Sequence, residues 1–359
     1  MLITSVEFLV LDNSFPFVLI KTDDGITGIG ECFRRQPKIT KTVVEELLAP
    51  AIIGKSPLQT TARFQDMASA GNASEIGGAI WIGIAGLDIA MWDLKGKALG
   101  MPIYDLLGGK VRDEMPVYAS SMKRDMTPLE EAKRALYFVE QGYKSYKLHS
   151  AVPGKIDHPD DQTIETVAEV RRAVGEETNI LVDVNGAYSV HHAIEIGKQL
   201  EQLGVFHFEE PRPHDDLLGL SRVAEALTIP IASGENIYTP QQYIDLMKIG
   251  KVDIIQPDIV KTPGFTTMIK ISHIAEEFGI PITCHNTQPT ISTVAHAHFV
   301  ASTPGIPYEQ EYNIEHVSIR DDYPILSEPL HIRNGLLQIP DKPGLGVELD
   351  MNSVDRFKS

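Results

Sequence analysis

Asp183, Glu209 and Glu235 follow one another at a constant spacing of 26 positions. Each closes a short apolar run, Ile180–Val182, Val205–Phe208 or Ile229–Ala232 with Ser233-Gly234 after it, that reads as a buried strand. A strand-plus-helix unit takes about that many residues, so the period predicts consecutive strands of a parallel barrel, each ending in a carboxylate. Those strand ends converge on one mouth, where barrel enzymes carry their chemistry. Three facing carboxylates repel one another and stay ionised together only around a cation. An all-oxygen donor set selects Mg²⁺ over zinc or copper. The spacing therefore predicts a divalent-metal enzyme.

Side chains on a strand alternate between faces, which sorts the remaining candidates. Lys147 and His149 share a face at the end of one strand, and Asp183 and Asn185 share a face on the next. Glu209 and Glu210 cannot both point inward. One faces the metal and the other faces the helices or the next loop. A buried ammonium is costly unless paired, and the carboxylates supply that pairing for Lys147. A desolvated lysine serves as a base or as a carboxylate clamp. Gln256-Pro257-Asp258 and Thr283-Cys284-His285-Asn286 end two neighbouring strands, so Asp258 is placed to orient the His285 imidazole and raise its basicity. On the eighth strand Glu309 and Glu311 share a parity, and alternation does not choose between them. His207 has the parity of Glu209 but lies deeper, where it fills the barrel. A single acid at a strand end is ordinarily a helix cap or a surface ion pair. Three at equal spacing are not. Gly25, Gly28 and Gly30 punctuate a hairpin sheet and join no strand to a helix, so they make no dinucleotide fingerprint. No phosphate loop or Gly-x-Ser-x-Gly elbow occurs.

The elements that would position these residues can be read along the chain. Residues 1–32 alternate apolar and polar positions around Asp23-Asp24-Gly25, the pattern of a three-stranded antiparallel sheet. Residues 38–110 are helical in pattern and end at Leu106-Leu107-Gly108-Gly109, glycine being favoured just past a helix end. Residues 1–113 are thus expected to form an α+β domain. From 114 to 329 strands alternate with amphipathic helices such as Pro128–Gln141 and Asp161–Val174. Strands are expected near 116–121, 144–149, 179–184, 204–209, 229–234, 253–257, 281–285 and 306–311. Eight such strands predict a closed α/β barrel of the TIM type. The tail, 330–359, carries turn signals at Pro340–Gly346 and is expected to pack back on the first domain.

Composition narrows the partners. A chain of 359 residues is long for one core. A net charge of −17 argues against nucleic acid and anionic membranes, leaving a small molecule as the partner. Cys32 and Cys284 are too few for a disulfide framework. With no signal-like N-terminus and no apolar run of 18 residues, a cytoplasmic location is expected.

With these residues placed, the chain resembles the enolase superfamily, in its mandelate racemase subgroup. The likeness runs over nearly the whole length. It is carried by Gly28-Ile29-Gly30-Glu31, by the segment Gly86-Leu87-Asp88-Ile89-Ala90-Met91-Trp92-Asp93-Leu94-Lys95-Gly96-Lys97, and by Leu106-Leu107-Gly108-Gly109. It continues through Asp183-Val184-Asn185, Glu209-Glu210-Pro211, Gly234-Glu235-Asn236, Pro257-Asp258, His285 and Pro343-Gly344-Leu345-Gly346. The resemblance implies an α+β cap on a modified (β/α)7β barrel, one Mg²⁺ on Asp183, Glu209 and Glu235, and a homo-oligomer. It also implies an Asp258–His285 acid/base dyad and a glutamate on the eighth strand beside the substrate carboxylate, Glu311 being favoured over Glu309. One motif departs. The subgroup's usual Lys-x-Lys reads Lys147-Leu148-His149 here, so His149 stands where a second lysine base is usual. Asn185, where a histidine would mark the mannonate and galactonate dehydratase type, and His285, with no strand-six lysine base, point away from those branches and from muconate cycloisomerases.

The implied chemistry removes the proton α to a carboxylate and makes an enediolate. Lys147 would help hold the carboxylate, with Glu311 a hydrogen-bond donor if protonated, and His149 and His285 would stand on opposite faces of the α-carbon. Loss of a β-hydroxyl would give a 2-keto-3-deoxy acid, the dehydratase outcome preferred here. Return of the proton from the other face would make a racemase or epimerase of a 2-hydroxy or amino acid. A non-enzymatic metal-binding barrel would exchange no α-proton. An unrelated metal-dependent barrel would leave the Gly-Leu-Asp-Ile-Ala segment unexplained. Specificity is expected from Asp12–Phe17 and Ile53–Pro57, with Asn13, Phe17, Asn185 and Glu309 as substrate contacts. The first of these loops has no Arg or Lys, which favours a monoacid. Arg34, Arg35, Lys38 and Lys41 nearby weigh the other way.

Overall fold

The computed structural model describes residues 1–71, 77–152 and 154–358. β1 (Ile3–Leu11), β2 (Phe15–Thr22) and β3 (Thr27–Glu31) form an antiparallel sheet in that order, matching the alternation of residues 1–32. The sheet lies against the helix Gly78–Leu99, which is buried from Ile82 to Leu94. An all-round apolar helix of this kind belongs between two layers, here the cap sheet and the barrel. The approach is backbone on backbone. A Cβ added to Gly30 would come within 1.9 Å of the Gly86 carbonyl oxygen, and one on Gly28 within 2.2 Å of that of Ala90.

The barrel strands β4 (Glu114–Ser121), β5 (Ser145–His149), β6 (Asn179–Asp183), β7 (His207–Glu209), β8 (Ile231–Ser233) and β9 (Ile254–Ile255) pair in parallel, in chain order. β10 (Gln310–Asn313) pairs in parallel with β4. The register sets His149 opposite Asp183 and Asp183 opposite Glu209, so the strand-end side chains lie level. Helices including Pro128–Glu140, Thr163–Val174 and Val190–Gln202 alternate with the strands, as the sequence pattern requires.

The seventh strand lies where expected but is short, and the eighth needs correction. Ile255 and Ile282 form a parallel bridge, in which Ile255 N–H donates to the Pro281 carbonyl and Thr283 N–H to that of Ile255. Next to it Ile282 N–H donates to the Gly305 carbonyl and Glu311 N–H to that of Cys284. The eighth strand runs over Gln310–Asn313 rather than 306–311. Pro281, Pro304 and Pro307 have no N–H to give a ladder, so regular pairing starts only beyond them. The tail also divides its contacts. β11 (Ile332–Arg333) and β12 (Leu336–Gln338) form a hairpin that pairs antiparallel with the start of β4 and so extends the barrel sheet. Further on, Leu345 N–H donates to Asp93 and Asp12 N–H to the Phe357 carbonyl, which joins the end of the tail to the cap. Among the described residues no helix is long and apolar enough to cross a membrane, and both cysteines are buried and free.

Candidate active site

Carboxylate oxygens of Asp183, Glu209 and Glu235 lie within 4.8 Å of one another at the ends of β6 and β7 and just beyond β8. All three residues are buried. Three hard anionic oxygens at that spacing fit a six-coordinate cation that keeps some of its waters, which is the habit of Mg²⁺.

Each of these carboxylates has a cationic or ionisable neighbour. Lys147 Nζ is 3.0 Å from both Glu209 oxygens, 2.8 Å from Glu311 Oε1 and 3.7 Å from Asp183 Oδ2. Burial works against the ammonium, yet Glu209 and Glu311 hold its pKa well above the usual lysine value. His149 and Lys147 likewise overcome burial to hold Asp183 at about 2. Glu235 is held well below the carboxylate range, against burial, by His285 and Lys261.

The two imidazoles flank the triad. His285 Nδ1 is 2.7 Å from Asp258 Oδ2, and its Nε2 is 3.0 Å from Glu235 Oε2. Burial lowers its pKa, but Glu235 prevails and the ring is pushed up to about 10. His149 Nδ1 is 2.6 Å from the Ser121 carbonyl, which fixes the proton on that nitrogen, and its Nε2 is 3.0 Å from Asp183 Oδ2. Both rings thus turn Nε2 toward the metal triad, one at each end of the row Asp183, Glu209, Glu235.

The other expected residues fall as follows. Glu311 is fully buried on β10 and accepts from Ser120 Oγ and from Asn286 N–H, both at 2.7 Å. Lys147 outweighs burial and holds its carboxyl at about 2. Glu311 thus accepts at both carboxyl oxygens, from Ser120 at one and from Asn286 at the other. Glu309 precedes β10 and is only half-buried, so the pair that parity could not separate is separated by where the strand begins. Asn185 donates from its backbone N–H and its amide to the two Asp183 oxygens, at 2.8 and 3.1 Å, so it braces one carboxylate of the triad. Asn13 is exposed at the β1–β2 turn, beside a segment tied to Phe357, and Phe17 is fully buried on β2. Neither is linked to the triad by any contact described.

Of the pair Glu209 and Glu210, it is Glu210 that faces the next loop, where Asn236 lies just beyond β8. β7 stops at Glu209, and Glu210 is left-handed, with a φ of 41°. Asn236 Nδ2 donates to both its oxygens at 3.1 Å and to Glu235 at 3.0 Å. Burial, then the charges of Glu235, Asp183 and Glu209, push the Glu210 carboxyl well above its ordinary range.

Sequence reasoning left several neighbours unassigned. Lys261 is 3.4 Å from Glu235 and 3.3 Å from Asn236 Oδ1, with its ammonium 4.4 Å from the centre of the Phe33 ring. Phe33 in turn lies 6.4 Å from His285, ring centre to ring centre. Arg124, beyond the end of β4, donates to the Ser150 carbonyl and to Asn185. None of these sits at a strand end. The available signal was the position of Phe33 and Arg34 just past β3 and of Lys261 three residues past Asp258.

Comparison with known proteins places this geometry among relatives. Residues 6–108 match the family model of the mandelate racemase / muconate lactonizing enzyme N-terminal domain, and residues 129–353 that of the enolase C-terminal domain-like family. An arabinonate dehydratase of Saccharolobus solfataricus is 33% identical over 94% of this chain and 89% of its own. A D-xylonate dehydratase of Haloferax volcanii is 31% identical over 98% and 88%. The crystal structure of the 3,6-anhydro-D-galactonate cycloisomerase from Zobellia galactanivorans superposes with a TM-score of 0.90 over the full length of both chains, at 29% identity.

Proposed function

The chain belongs to the enolase superfamily, with the capping domain of its mandelate racemase / muconate lactonizing branch, and on that premise we propose that it is a Mg²⁺-dependent sugar-acid dehydratase. The observation that carries the proposal is the pair of imidazoles, His149 and His285, each anchored through Nδ1 and each presenting Nε2 at one end of the carboxylate triad. The relatives that dehydrate arabinonate and D-xylonate support the choice of reaction.

In this reading Asp183, Glu209 and Glu235 hold Mg²⁺, which when bound supplies the positive charge that stabilises the enediolate. One imidazole removes the α-proton, and the other stands ready to protonate the leaving β-hydroxyl, so that water departs and the enol becomes a 2-keto-3-deoxy acid. Asp258 keeps the Nδ1 proton of His285 and so directs its Nε2 to the substrate. Lys147 and Glu311 form the floor beside the carboxylate. Binding requires one of the Lys147 donors now on Glu209 or Glu311 to be released to the incoming oxygen. The buried free cysteines suit a reducing cytoplasm.

The test is a panel of aldonic, aldaric and simple 2-hydroxy acids with Mg²⁺ in D₂O, read by NMR for α-proton exchange and for keto acid. Keto acid from one member, lost in His285→Asn, is the expected result. Exchange or inversion without keto acid would make the protein a racemase or epimerase. No exchange from any acid by the Mg²⁺-loaded protein would overturn the proposal.

A further inference from the structure

Three cations at the mouth have polar partners among the described residues. Lys147 is held by Glu209 and Glu311, Lys261 by Glu235 and Asn236, and Arg124 by Ser150 and Asn185. The half-buried guanidinium of Arg34 has no hydrogen bond or ion pair among the described residues. Its backbone is nevertheless fixed. Arg34 N–H donates to Gln288 Oε1 at 2.7 Å, and Gln288 Nε2 donates to Glu31 at 2.6 Å and to the Cys32 carbonyl at 3.0 Å. Phe33, one residue earlier, lies against His285 and Lys261.

Burial and the neighbouring Arg35 lower the pKa of the Arg34 guanidinium, while Glu311, Glu31 and Asp258 work the other way. That group has five N–H donors in a planar fork and no acceptor, so only acceptor oxygens satisfy it, and carboxylate or phosphate match it two bonds at a time. The local charge points the same way. Arg34, Arg35, Lys38 and Lys41 fall within eight residues without an acid between them, in a chain with 49 acids and 32 bases.

Resting on the sugar-acid reading above, we propose that Arg34 receives a second anionic group at the far end of the substrate, a terminal carboxylate or phosphate. The segment after β3 carries the cations that the loop Asp12–Phe17 lacks, and its Phe33 lies against His285 and Lys261.

The experiment uses matched triplets of one configuration at a time: an aldonate, the corresponding aldarate, and the aldonate with a terminal phosphate. Each is titrated into the full-length Mg²⁺-loaded protein at fixed ionic strength by calorimetry, with α-proton exchange followed in parallel. A charged-end member should bind roughly 10- to 100-fold more tightly than its aldonate, as charge-assisted pairing allows. Arg34→Gln should bring that ratio close to one, and Arg34→Lys, which keeps the charge but not the fork, should retain part of it. A purely structural role for Arg34 would weaken all three ligands alike. The aldarate and phosphate arms identify which group is read. A ratio near one in the wild type, or the same ratio in Arg34→Gln, overturns the proposal. Exchange from aldonates without preference sinks only the role of Arg34, whereas no exchange and no binding anywhere sinks the sugar-acid reading with it.

Discussion

At the scale of single residues, the site is an ion cluster in which each carboxylate of the triad has a cationic or ionisable neighbour. Lys147 is its centre, touching Glu209 and Glu311 and lying 3.7 Å from Asp183. Removing one partner of a buried ion pair commonly costs about 3–5 kcal/mol, because the remaining charge has no compensation. Lys147→Met should therefore abolish turnover and lower the urea midpoint. Added Mg²⁺ should recover more stability in the variant than in the wild type, since the cation then takes over part of the lysine's task. Equal Mg²⁺ effects on both proteins would show that Lys147 does not neutralise the triad. The carboxylate triad was legible in the sequence because a strand end, a carboxylate and a fixed period coincide at each member. For Glu210 alternation left open the helices or the next loop, and only the folded chain shows Asn236 as its partner.

At the scale of elements, the same divide holds. β5 to β8 are visible as apolar runs because both their faces are covered. The seventh stave narrows to one bridge and the eighth starts later than its apolar pattern, because prolines remove the ladder bonds that define a strand while leaving that pattern in place. Arg34 and Lys261 reach the site from loops, where periodicity carries no information. The contact between β3 and the helix Gly78–Leu99 yields a sharper test. Gly30→Ala places a methyl 1.9 Å from a backbone oxygen that cannot move alone. Such overpacking costs about 1–3 kcal/mol, and more where backbone must shift. The variant should melt lower, and its Phe33–Arg34 segment, directly downstream of β3, should be displaced enough to lower kcat/KM. Unchanged melting would mean that the cap sheet rides on the helix more loosely than the structure shows.

At the scale of the whole molecule, buried cap carboxylates fasten the two domains together. Glu31 accepts from Gln288 Nε2, Thr290 Oγ1 and Ser292 N–H, and Asp88 accepts from the Thr266 N–H and hydroxyl. Burial pushes both carboxyls up to about 7 despite these donors. An acid whose folded pKa exceeds its unfolded value favours folding fully at pH below about 4 and loses that contribution as pH rises through about 7. Roughly 3 kcal/mol is at stake for Glu31 and roughly 4 kcal/mol for Asp88. The urea midpoint should accordingly fall between pH 5 and pH 8, and Glu31→Gln should flatten about half of that slope. A midpoint that rises over this range would show that these carboxylates do not control the domain junction.

The bonds that complete the cap also impose an order on biosynthesis. Gln288 lies 257 positions after Glu31 and Leu345 lies 252 after Asp93, while Lys358 reaches back 351 positions to Glu7. A ribosome makes the cap first, yet Gln288 and Leu345, which bond its buried acids, are made more than 250 residues later. At about 5–20 residues per second, the nascent cap waits on the order of ten seconds or more with those acids solvated. Stopping the chain at Ile339, before Leu345 and Lys358 are made, should yield ribosome-released protein that aggregates, although the barrel strands themselves are complete.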